Sequence, residues 1–288
     1  MRRIGLATFV FAVSLFARPL LAEVSQAGAE KLGWKLTLQS WSANYGPAKS
    51  TVQQSIDYCK QFGIHFLEVY PGQQLSESDK GKWGPEMTAD QIKATLEAAK
   101  AANVQIIDTG VIGISSKEED ARKLFDWAKK VGLTEIVSEP EEKSLPMIDK
   151  VAGEYGIVVA LHDHPKPSKY WDPDYTYDQI KDLKYVGFCA DVGHWKRSGL
   201  EPVDVLKKYG ERVFSLHFKD LVPDNAEKKG WHDVVWGTGD SKAAEMLSVL
   251  KRKGFKGPVA IEFETKWDAP TLQKCVDFFY EQANELAK

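Results

Sequence analysis

Side chains that can bind a metal ion or transfer a proton follow two neighbouring apolar runs of the sequence. The run 186–190 is followed by Asp191 and His194, and the run 212–216 is followed by His217. An amphipathic segment between the runs predicts a crossover helix, so the stretch forms a strand–helix–strand unit with parallel strands. Functional residues of such units gather beyond the carboxyl ends of the strands. We therefore expect these three side chains to share one rim and to offer imidazole and carboxylate ligands.

Similar side chains end most of the strand-like runs in the chain. They are Glu68, Asp108, Glu139, His162 with His164, Asp191 with His194, His217 with Lys219, and Glu262 with Glu264. A single Glu or His at a strand end is more often solvated, capping a helix or packing against a neighbour. Four adjacent strands, the fifth to the eighth, all end on His, Asp or Glu. This collective pattern predicts one divalent cation held by mixed imidazole and carboxylate ligands.

Eight strand-like runs that alternate with helical segments position these residues. The predicted strands are 36–41, 64–70, 104–111, 135–139, 157–162, 186–190, 212–216 and 259–264. The predicted helices are 51–62, 88–102, 117–131, 143–155, 177–183, 202–209, 241–253 with Asp240 as its N-cap, and 271–287. This alternation over 288 residues predicts an α/β fold, a single (β/α)8 TIM barrel. The alternative is a doubly wound open sheet, but no Gly-rich turn follows the first strand.

The overall composition favours a small-molecule partner. A formal net charge of −3 and a pI near 6.1 give no general footprint for nucleic acid or an anionic membrane. Several aromatic residues fall in predicted loops, where they could stack on sugar faces or cover the edges of the core. These are Trp83, Tyr170, Trp171, Trp195, Trp231, Trp236 and Trp267.

The first 22 residues have the features of a secretory signal. Arg2 and Arg3 precede an apolar run, 4–16, and Ala22 is a small residue suited to cleavage. We expect a signal peptide at 1–22, a barrel at 23–288, and a periplasmic or secreted protein with no stable membrane insertion after cleavage. The sequence does not indicate an oligomeric state. The three cysteines lack metal-site spacing, so we expect buried free thiols.

Three motifs on successive predicted strands resemble the xylose-isomerase-like superfamily of sugar isomerases and epimerases. They are CADVGHW, SLHFKD and VAIEFE, in this order, and the resemblance covers about residues 34 to 285. The superfamily also includes ketose 3-epimerases, inosose dehydratase and, more distantly, endonuclease IV. Ketose 3-epimerases hold a metal with a Glu, an Asp, a His and a Glu on the fifth to eighth strands. Asp191, His217 and Glu262 match the last three of these ligands.

The fifth strand departs from the 3-epimerase pattern, because this chain has His162-Asp163-His164 where a glutamate is expected. Glu139 on the neighbouring strand could restore a carboxylate. The resemblance therefore implies a metal set of Glu139, Asp191, His217 and Glu262, with His162 as a possible replacement for one of them. It implies catalytic roles for Glu139, Glu262 and His162. The residues expected to contact substrate are His164, His194, Lys219, Glu68, Trp195 and Trp236.

The activity that the resemblance implies is proton transfer next to a carbonyl group. One divalent ion, Mn, Co, Mg or Zn, would polarise the carbonyl and an adjacent hydroxyl and stabilise an enediolate. Return of the proton gives a sugar isomerase or epimerase, which is the first expectation. Loss of a β-substituent gives a lyase that cleaves 3-keto-glycosides, which suits an exported protein that meets unphosphorylated sugars. A non-catalytic sugar-binding protein is a further alternative, whereas an endonuclease IV-like enzyme is disfavoured by six histidines and an acidic pI.

The choice between these two reactions depends on the group that faces the metal beside the fifth strand. A carboxylate from Glu139 there, opposite Glu262, would supply the two bases of an epimerase. An imidazole from His162 or His164 in the same place would favour elimination, because a protonated imidazole can assist a departing alkoxide near neutral pH.

Overall fold

The barrel predicted from the alternating strands and helices is confirmed. A computed structural model describes residues 24–225 and 230–288, so the predicted signal segment lies outside the described residues. Eight parallel strands close into a barrel in the order β1-β10-β7-β6-β5-β4-β3-β2. They are β1 (Trp34–Gln39), β2 (Phe66–Val69), β3 (Gln105–Thr109), β4 (Glu135–Ser138), β5 (Val158–His162), β6 (Val186–Asp191), β7 (Val213–Phe218) and β10 (Gly257–Ile261).

Helices cover the outside of the barrel, and an antiparallel hairpin begins just after the carboxyl end of β7. The hairpin strands are β8 (Leu221–Pro223) and β9 (Trp231–Asp233). The helices are α1 (Ala27–Leu32), α2 (Val52–Phe62), α3 (Ala89–Ala101), α4 (Glu118–Val131), α5 (Leu145–Tyr155), α6 (Pro173–Ile180), α7 (Val192–Arg197), α8 (Pro202–Tyr209), α9 (Ala243–Arg252) and α10 (Ala269–Leu286). Short 3₁₀ turns lie at Ser40–Tyr45, Glu142–Ser144 and Gly210–Arg212. No helix in the described ranges is long and apolar enough to cross a membrane.

Local sequence signals explain where most helices begin and end. Thr51 and Thr88 cap α2 and α3 by accepting hydrogen bonds from backbone N–H groups of the first turn, and Gly63 ends α2 with a φ of 67°. The apolar faces of the helices pack on the strands in one extensive core. All three cysteines are free and buried, as predicted.

Two predicted helices begin elsewhere in the structure. The helix predicted at 177–183 is α6, which begins at Pro173 because the side chain of Asp172 accepts hydrogen bonds from the first turn. The predicted N-cap Asp240 does not cap α9; its backbone N–H donates to the Leu221 carbonyl, and the cap position is Lys242. Helix α7 was not predicted at all, although it follows directly after the strand that carries Asp191.

Candidate metal centre

Four side chains from the carboxyl ends of β5, β6, β7 and β10 converge on one buried point. His162 and Asp191 are the last residues of β5 and β6, His217 is on β7, and Glu262 follows the last residue of β10. Each offers one ligand atom, and these atoms all lie within 4.8 Å of one another. The rim expected from the strand endings is therefore present in the fold, with three of the four predicted ligand residues in it.

The donor set fits a divalent transition metal. His162 Nε2 lies 3.6 Å from an Asp191 carboxylate oxygen, and His217 Nδ1 lies 3.1 Å from Glu262 Oε2. His217 Nδ1 is a buried polar atom without a hydrogen-bond partner, directed at the two carboxylates. Two imidazoles and two carboxylates are a ligand combination that suits Zn, Mn or Co. A buried imidazole nitrogen without a hydrogen-bond partner needs an explanation, and a metal ion bound at that nitrogen would provide one.

Each of the two imidazoles has a carboxyl group at its other nitrogen. His162 Nδ1 lies 3.0 Å from Glu139 Oε1. His217 Nε2 lies 3.1 Å and 3.0 Å from the two carboxyl oxygens of Glu68. Histidines that bind metals almost always donate their second N–H to such a partner, which fixes the ring and its tautomer. Both imidazoles are therefore arranged as metal ligands are.

The structure places Glu139 behind His162 instead of among the converging ligand atoms. Glu139 forms a separate group with His162 and His164, and its Oε1 accepts hydrogen bonds from Nδ1 of both rings. The sequence left open whether His162 replaces Glu139 as a ligand, and the group of four contains His162. The physical reason is that Glu139 Oε1 is held by Nδ1 of both His162 and His164, whereas the other nitrogen of His162, Nε2, faces Asp191.

The charges around Glu139 keep its carboxyl group ionised. Burial raises the pKa of Glu139, but the hydrogen bonds from His162 and His164 outweigh this effect and lower the pKa to about 2. Burial lowers the pKa of His162, and its hydrogen bonds to Asp191 and Glu139 raise it above the usual histidine value. The side chain of His164 is half exposed, at 51%. Glu139 and His164 thus form a carboxylate–imidazole pair at the edge of the centre.

The side chain of Lys219 contacts the carboxylates of Asp191 and Glu262 and lies against Gly193 of helix α7. Its ammonium group is fully buried and donates hydrogen bonds to Asp191 and Glu262. The absence of a side chain at Gly193 makes room for it, because a Cβ there would lie 2.5 Å from Lys219 Cδ. Burial raises the pKa of Glu262, but the neighbouring charges of Lys219 and His217 lower it well below its usual value. Lys219 therefore contacts the predicted metal ligands directly.

A network that the sequence did not reveal holds His194. Asp191 accepts a hydrogen bond from the His194 backbone N–H and so caps α7. One turn later, Arg197 donates to His194 Nδ1 at 3.1 Å and to Glu264 at 2.6 Å, and it pairs with Asp233 at 3.4 Å. Since Nδ1 accepts a hydrogen bond, Nε2 carries the proton of the neutral ring. Burial lowers the pKa of His194 to about 2, so the ring remains neutral.

A cavity of about 380 Å³ opens above these residues at the carboxyl-end face. One part of its lining is polar and comes from β5, β6 and β10, with His162, His164, His194, Glu262 and Glu264. The other part comes from the loops after β1, β2 and β3, with Gln39, Trp41, Tyr70, Pro71, Gly110 and Val111. Trp41 is 40% exposed and meets Tyr70 edge to face at 5.1 Å. Trp41 was not predicted as a site residue, because it is the last residue of the predicted first strand, 36–41.

Four residues predicted to contact substrate do not line this cavity: Lys219, which is bound to Asp191 and Glu262, together with Trp195, Trp236 and Glu68. Trp195 and Trp236 are 1% and 2% exposed and pack against Phe188 and Phe218. Their indole rings are buried in the core, so the prediction that they stack on a sugar is wrong. Glu68 is fully buried beneath His217, and Asp108 on the next strand has no hydrogen-bond partner for either carboxyl oxygen. These two carboxyl groups belong to the barrel interior.

Comparisons with known proteins agree with the fold and with the motifs. Residues 142–282 match the family described as xylose isomerase-like TIM barrel. The chain is similar to inosose isomerase of Halalkalibacterium halodurans, with 23% identity over 74% of this chain and 83% of that protein. It is also similar to inosose dehydratase 2 of Bacillus cereus, with 25% identity over 62% of this chain and 66% of that protein.

A solved structure of an uncharacterised protein from Parabacteroides distasonis has the same fold. It is 27% identical, with a TM-score of 0.69, over 86% of this chain and 99% of that chain. The sequence comparisons therefore include one relative named as an isomerase and one named as a dehydratase.

Proposed function

We propose that the chain, whose residues 142–282 match the family described as xylose isomerase-like TIM barrel, is a divalent-metal-dependent enzyme of sugar chemistry. In this proposal it removes a proton next to the carbonyl of an unphosphorylated sugar or sugar derivative. The observation that carries the proposal is the convergence of His162, Asp191, His217 and Glu262, with an orphaned His217 nitrogen directed at the carboxylates, beneath an open cavity. The relatives named inosose isomerase and inosose dehydratase support the same chemistry.

The metal ion is proposed to be held by His162, Asp191, His217 and Glu262, and it would act as a Lewis acid on the substrate carbonyl. The side chains around it have separate tasks. Glu262 is an ionised carboxylate at the cavity wall and is the group that takes the proton from carbon. His194 presents its Nε2–H, because Arg197 occupies Nδ1. Lys219 keeps Asp191 and Glu262 together and balances their charge.

Elimination is the reaction outcome that the geometry supports best. Beside the fifth strand the cavity is lined by the imidazoles of His162 and His164, with the Glu139 carboxylate behind them. A carboxylate that holds Nδ1 leaves Nε2 of His164 free to carry a proton, as in other carboxylate–imidazole pairs. As Glu262 takes the proton, the bond from the β carbon to oxygen breaks, and His164 protonates the departing alkoxide or hydroxide. The products are an unsaturated ketone and an alcohol or water.

Isomerisation or epimerisation is the second candidate, and it shares the first step. The similarity to an inosose isomerase extends over 83% of that protein. In this candidate the His164 Nε2 returns a proton to carbon instead of giving it to a leaving group. Both reactions use the same base and the same acid, so the substrate's β-substituent decides between them.

The cavity lining supports a neutral sugar as substrate. No lysine or arginine is among the described residues that line it. The two nearby cations, Lys219 and Arg197, are already paired with carboxylates. The exposed ring of Trp41 and the ring of Tyr70 offer flat surfaces of the kind that stack on sugars. Among the described residues of the cavity wall, a phosphate group would find no unpaired cation to bind.

The test is to incubate the metal-loaded protein with 3-keto-glycosides and with free keto-sugars in deuterated water and to follow both by NMR. The proposal expects loss of the proton next to the carbonyl, together with an unsaturated ketone and free aglycone from the glycoside. Epimerised or isomerised ketose without elimination would favour the second candidate. The absence of both exchange and product from either substrate class would refute the proposed activity.

A matched pair of variants tests the role of His164. His164→Ala is expected to lower elimination by about 100-fold or more, as removal of a general acid does. His232→Ala is the control, because His232 also pairs with a carboxylate, at 2.7 Å from Asp224, but does not line the cavity. Equal activity of the two variants would contradict the assignment of His164 as the acid.

A further inference from the structure

Glu68 occupies a position in the barrel that neither the motifs nor the proposed reaction explains. It lies on β2, three barrel positions away from β7, and its carboxyl group crosses the interior to reach His217 Nε2 at 3.1 Å and 3.0 Å. Its side chain is 1% exposed and does not line the cavity. Gln39 fixes it from the other side by donating a hydrogen bond of 2.8 Å to Oε1. Residues of β1 and β2 thus hold the Glu68 carboxyl group against His217 on β7.

This contact determines which nitrogen of His217 is available. A carboxylate only accepts hydrogen bonds, so a neutral ring must place its proton on Nε2 to satisfy Glu68. Nδ1 is then left with a lone pair, and Nδ1 is the atom that lies 3.1 Å from Glu262 and 3.9 Å from Asp191 without a hydrogen-bond partner. Without Glu68, the ring could place its proton on Nδ1 and could not bind a metal there.

We propose that Glu68 is a positioning residue of the metal centre, which holds His217 in the tautomer whose Nδ1 faces Asp191 and Glu262. This inference rests on the metal centre proposed above. It changes the role of Glu68 from a substrate contact, as predicted from the strand ending, to a determinant of metal affinity. Loss of such an outer partner weakens metal binding by about 10- to 100-fold in other proteins.

Asp108 provides a matched control inside the same barrel. It pairs with Glu68 in the register of β2 and β3 and is equally buried. Neither of its oxygens has a hydrogen-bond partner, so Asp108 does not hydrogen-bond the His217 ring, although the two groups interact through their charges. Asp108→Asn therefore removes a buried carboxyl group of the same kind without changing the partner of the His217 ring.

The experiment titrates the chelator-treated full chain with Co²⁺ alone, using calorimetry and the visible absorption of the bound ion. Glu68→Met is expected to weaken Co²⁺ binding by about 10- to 100-fold. Glu68→Gln keeps an oxygen that accepts the Nε2 proton, so its affinity should fall between those of Glu68→Met and the wild type. Asp108→Asn should bind as tightly as the wild type. Nitrogen-15 NMR of the metal-free proteins, recorded at an alkaline pH at which the His217 ring is neutral, should show the Nε2–H form in Glu68→Gln and loss of this signature in Glu68→Met.

Three results would overturn the inference. These are wild-type Co²⁺ affinity in both Glu68 variants, an equal loss in Asp108→Asn and Glu68→Gln, or an unchanged His217 tautomer in Glu68→Met. If Glu68→Met does not fold, Glu68→Gln and Asp108→Asn decide by the same affinity comparison. A wild-type protein that binds no Co²⁺ would instead refute the proposed metal centre, and the role of Glu68 with it.

Discussion

Replacement of Lys219 by methionine should destabilise the metal-free protein strongly. The Lys219 ammonium is fully buried and donates to both Asp191 and Glu262, with Glu264 at 3.5 Å. Methionine fills similar space but leaves two buried carboxylates side by side without their cation. Removal of one partner of a buried ion pair costs about 3–5 kcal/mol of folding free energy. At about 2–4 °C of Tm per kcal/mol for a domain near this size, the Tm should fall by about 6–20 °C.

A divalent ion should restore much of this stability, because it replaces the missing positive charge at the same carboxylates. An ion present at 100 times its Kd adds about 2.7 kcal/mol to the folded state. The assay is thermal unfolding of the wild type and Lys219→Met, each with chelator and with Mn²⁺. The added ion should raise the Tm of the variant more than that of the wild type, because the variant lacks the competing ammonium charge.

The control for this prediction is Lys93→Met. Lys93 forms an exposed ion pair with Glu97 at 3.9 Å, so its loss should change stability by less than about 0.5 kcal/mol. Equal Tm values for Lys219→Met and Lys93→Met in chelator would refute the electrostatic account of Lys219. If Mn²⁺ raises the Tm of Lys219→Met no more than that of the wild type, the idea that the Lys219 ammonium and the metal ion share the same carboxylates is refuted.

Three further predictions concern pH, substrate affinity and export. Burial lowers the pKa of His217, but Cys189, Glu68 and Glu262 raise it well above its usual value, so protons compete with the ion at Nδ1. Mn²⁺ affinity measured by calorimetry should therefore fall with decreasing pH and release protons on binding; a pH-independent affinity would contradict this competition. Trp41→Ala should raise KM about two- to tenfold with little change in kcat, as measured by steady-state kinetics, because it removes a stacking surface at the cavity mouth. N-terminal sequencing of the exported protein should begin at Glu23, and recovery of Met1 would contradict the predicted signal.

The barrel could be predicted because local patterns and topology agree along the described chain. Eight apolar runs alternate with amphipathic helices, and each run is a barrel strand with bounds that differ by a few residues. The errors lie where local signals conflict. The predicted cap at Asp240 failed because its backbone is held by Leu221, and the start of α6 was missed although Asp172-Pro173 is a standard N-cap signal.

The site could be predicted only to the level of strand endings. Parallel strands bring their carboxyl ends together, so Asp191, His217 and Glu262 could be grouped from the sequence. The choice between Glu139 and His162 could not be predicted, because it depends on side-chain contacts: His162 Nδ1 binds Glu139, and His162 Nε2 faces Asp191. Arg197 was missed because α7 is only six residues long and its role depends on a tertiary contact with Glu264.

The central claim is that one divalent ion is held by His162, Asp191, His217 and Glu262. The most direct test is the metal content of the wild type, His217→Ala and Asp191→Ala, each stripped with chelator, reloaded and analysed by mass spectrometry of the elements. Glu139→Gln is the comparison, since Glu139 lies outside the group of four. The account predicts one ion per chain in the wild type, retained metal in Glu139→Gln, and loss of most metal in the other two variants. Full occupancy in both His217→Ala and Asp191→Ala would contradict it.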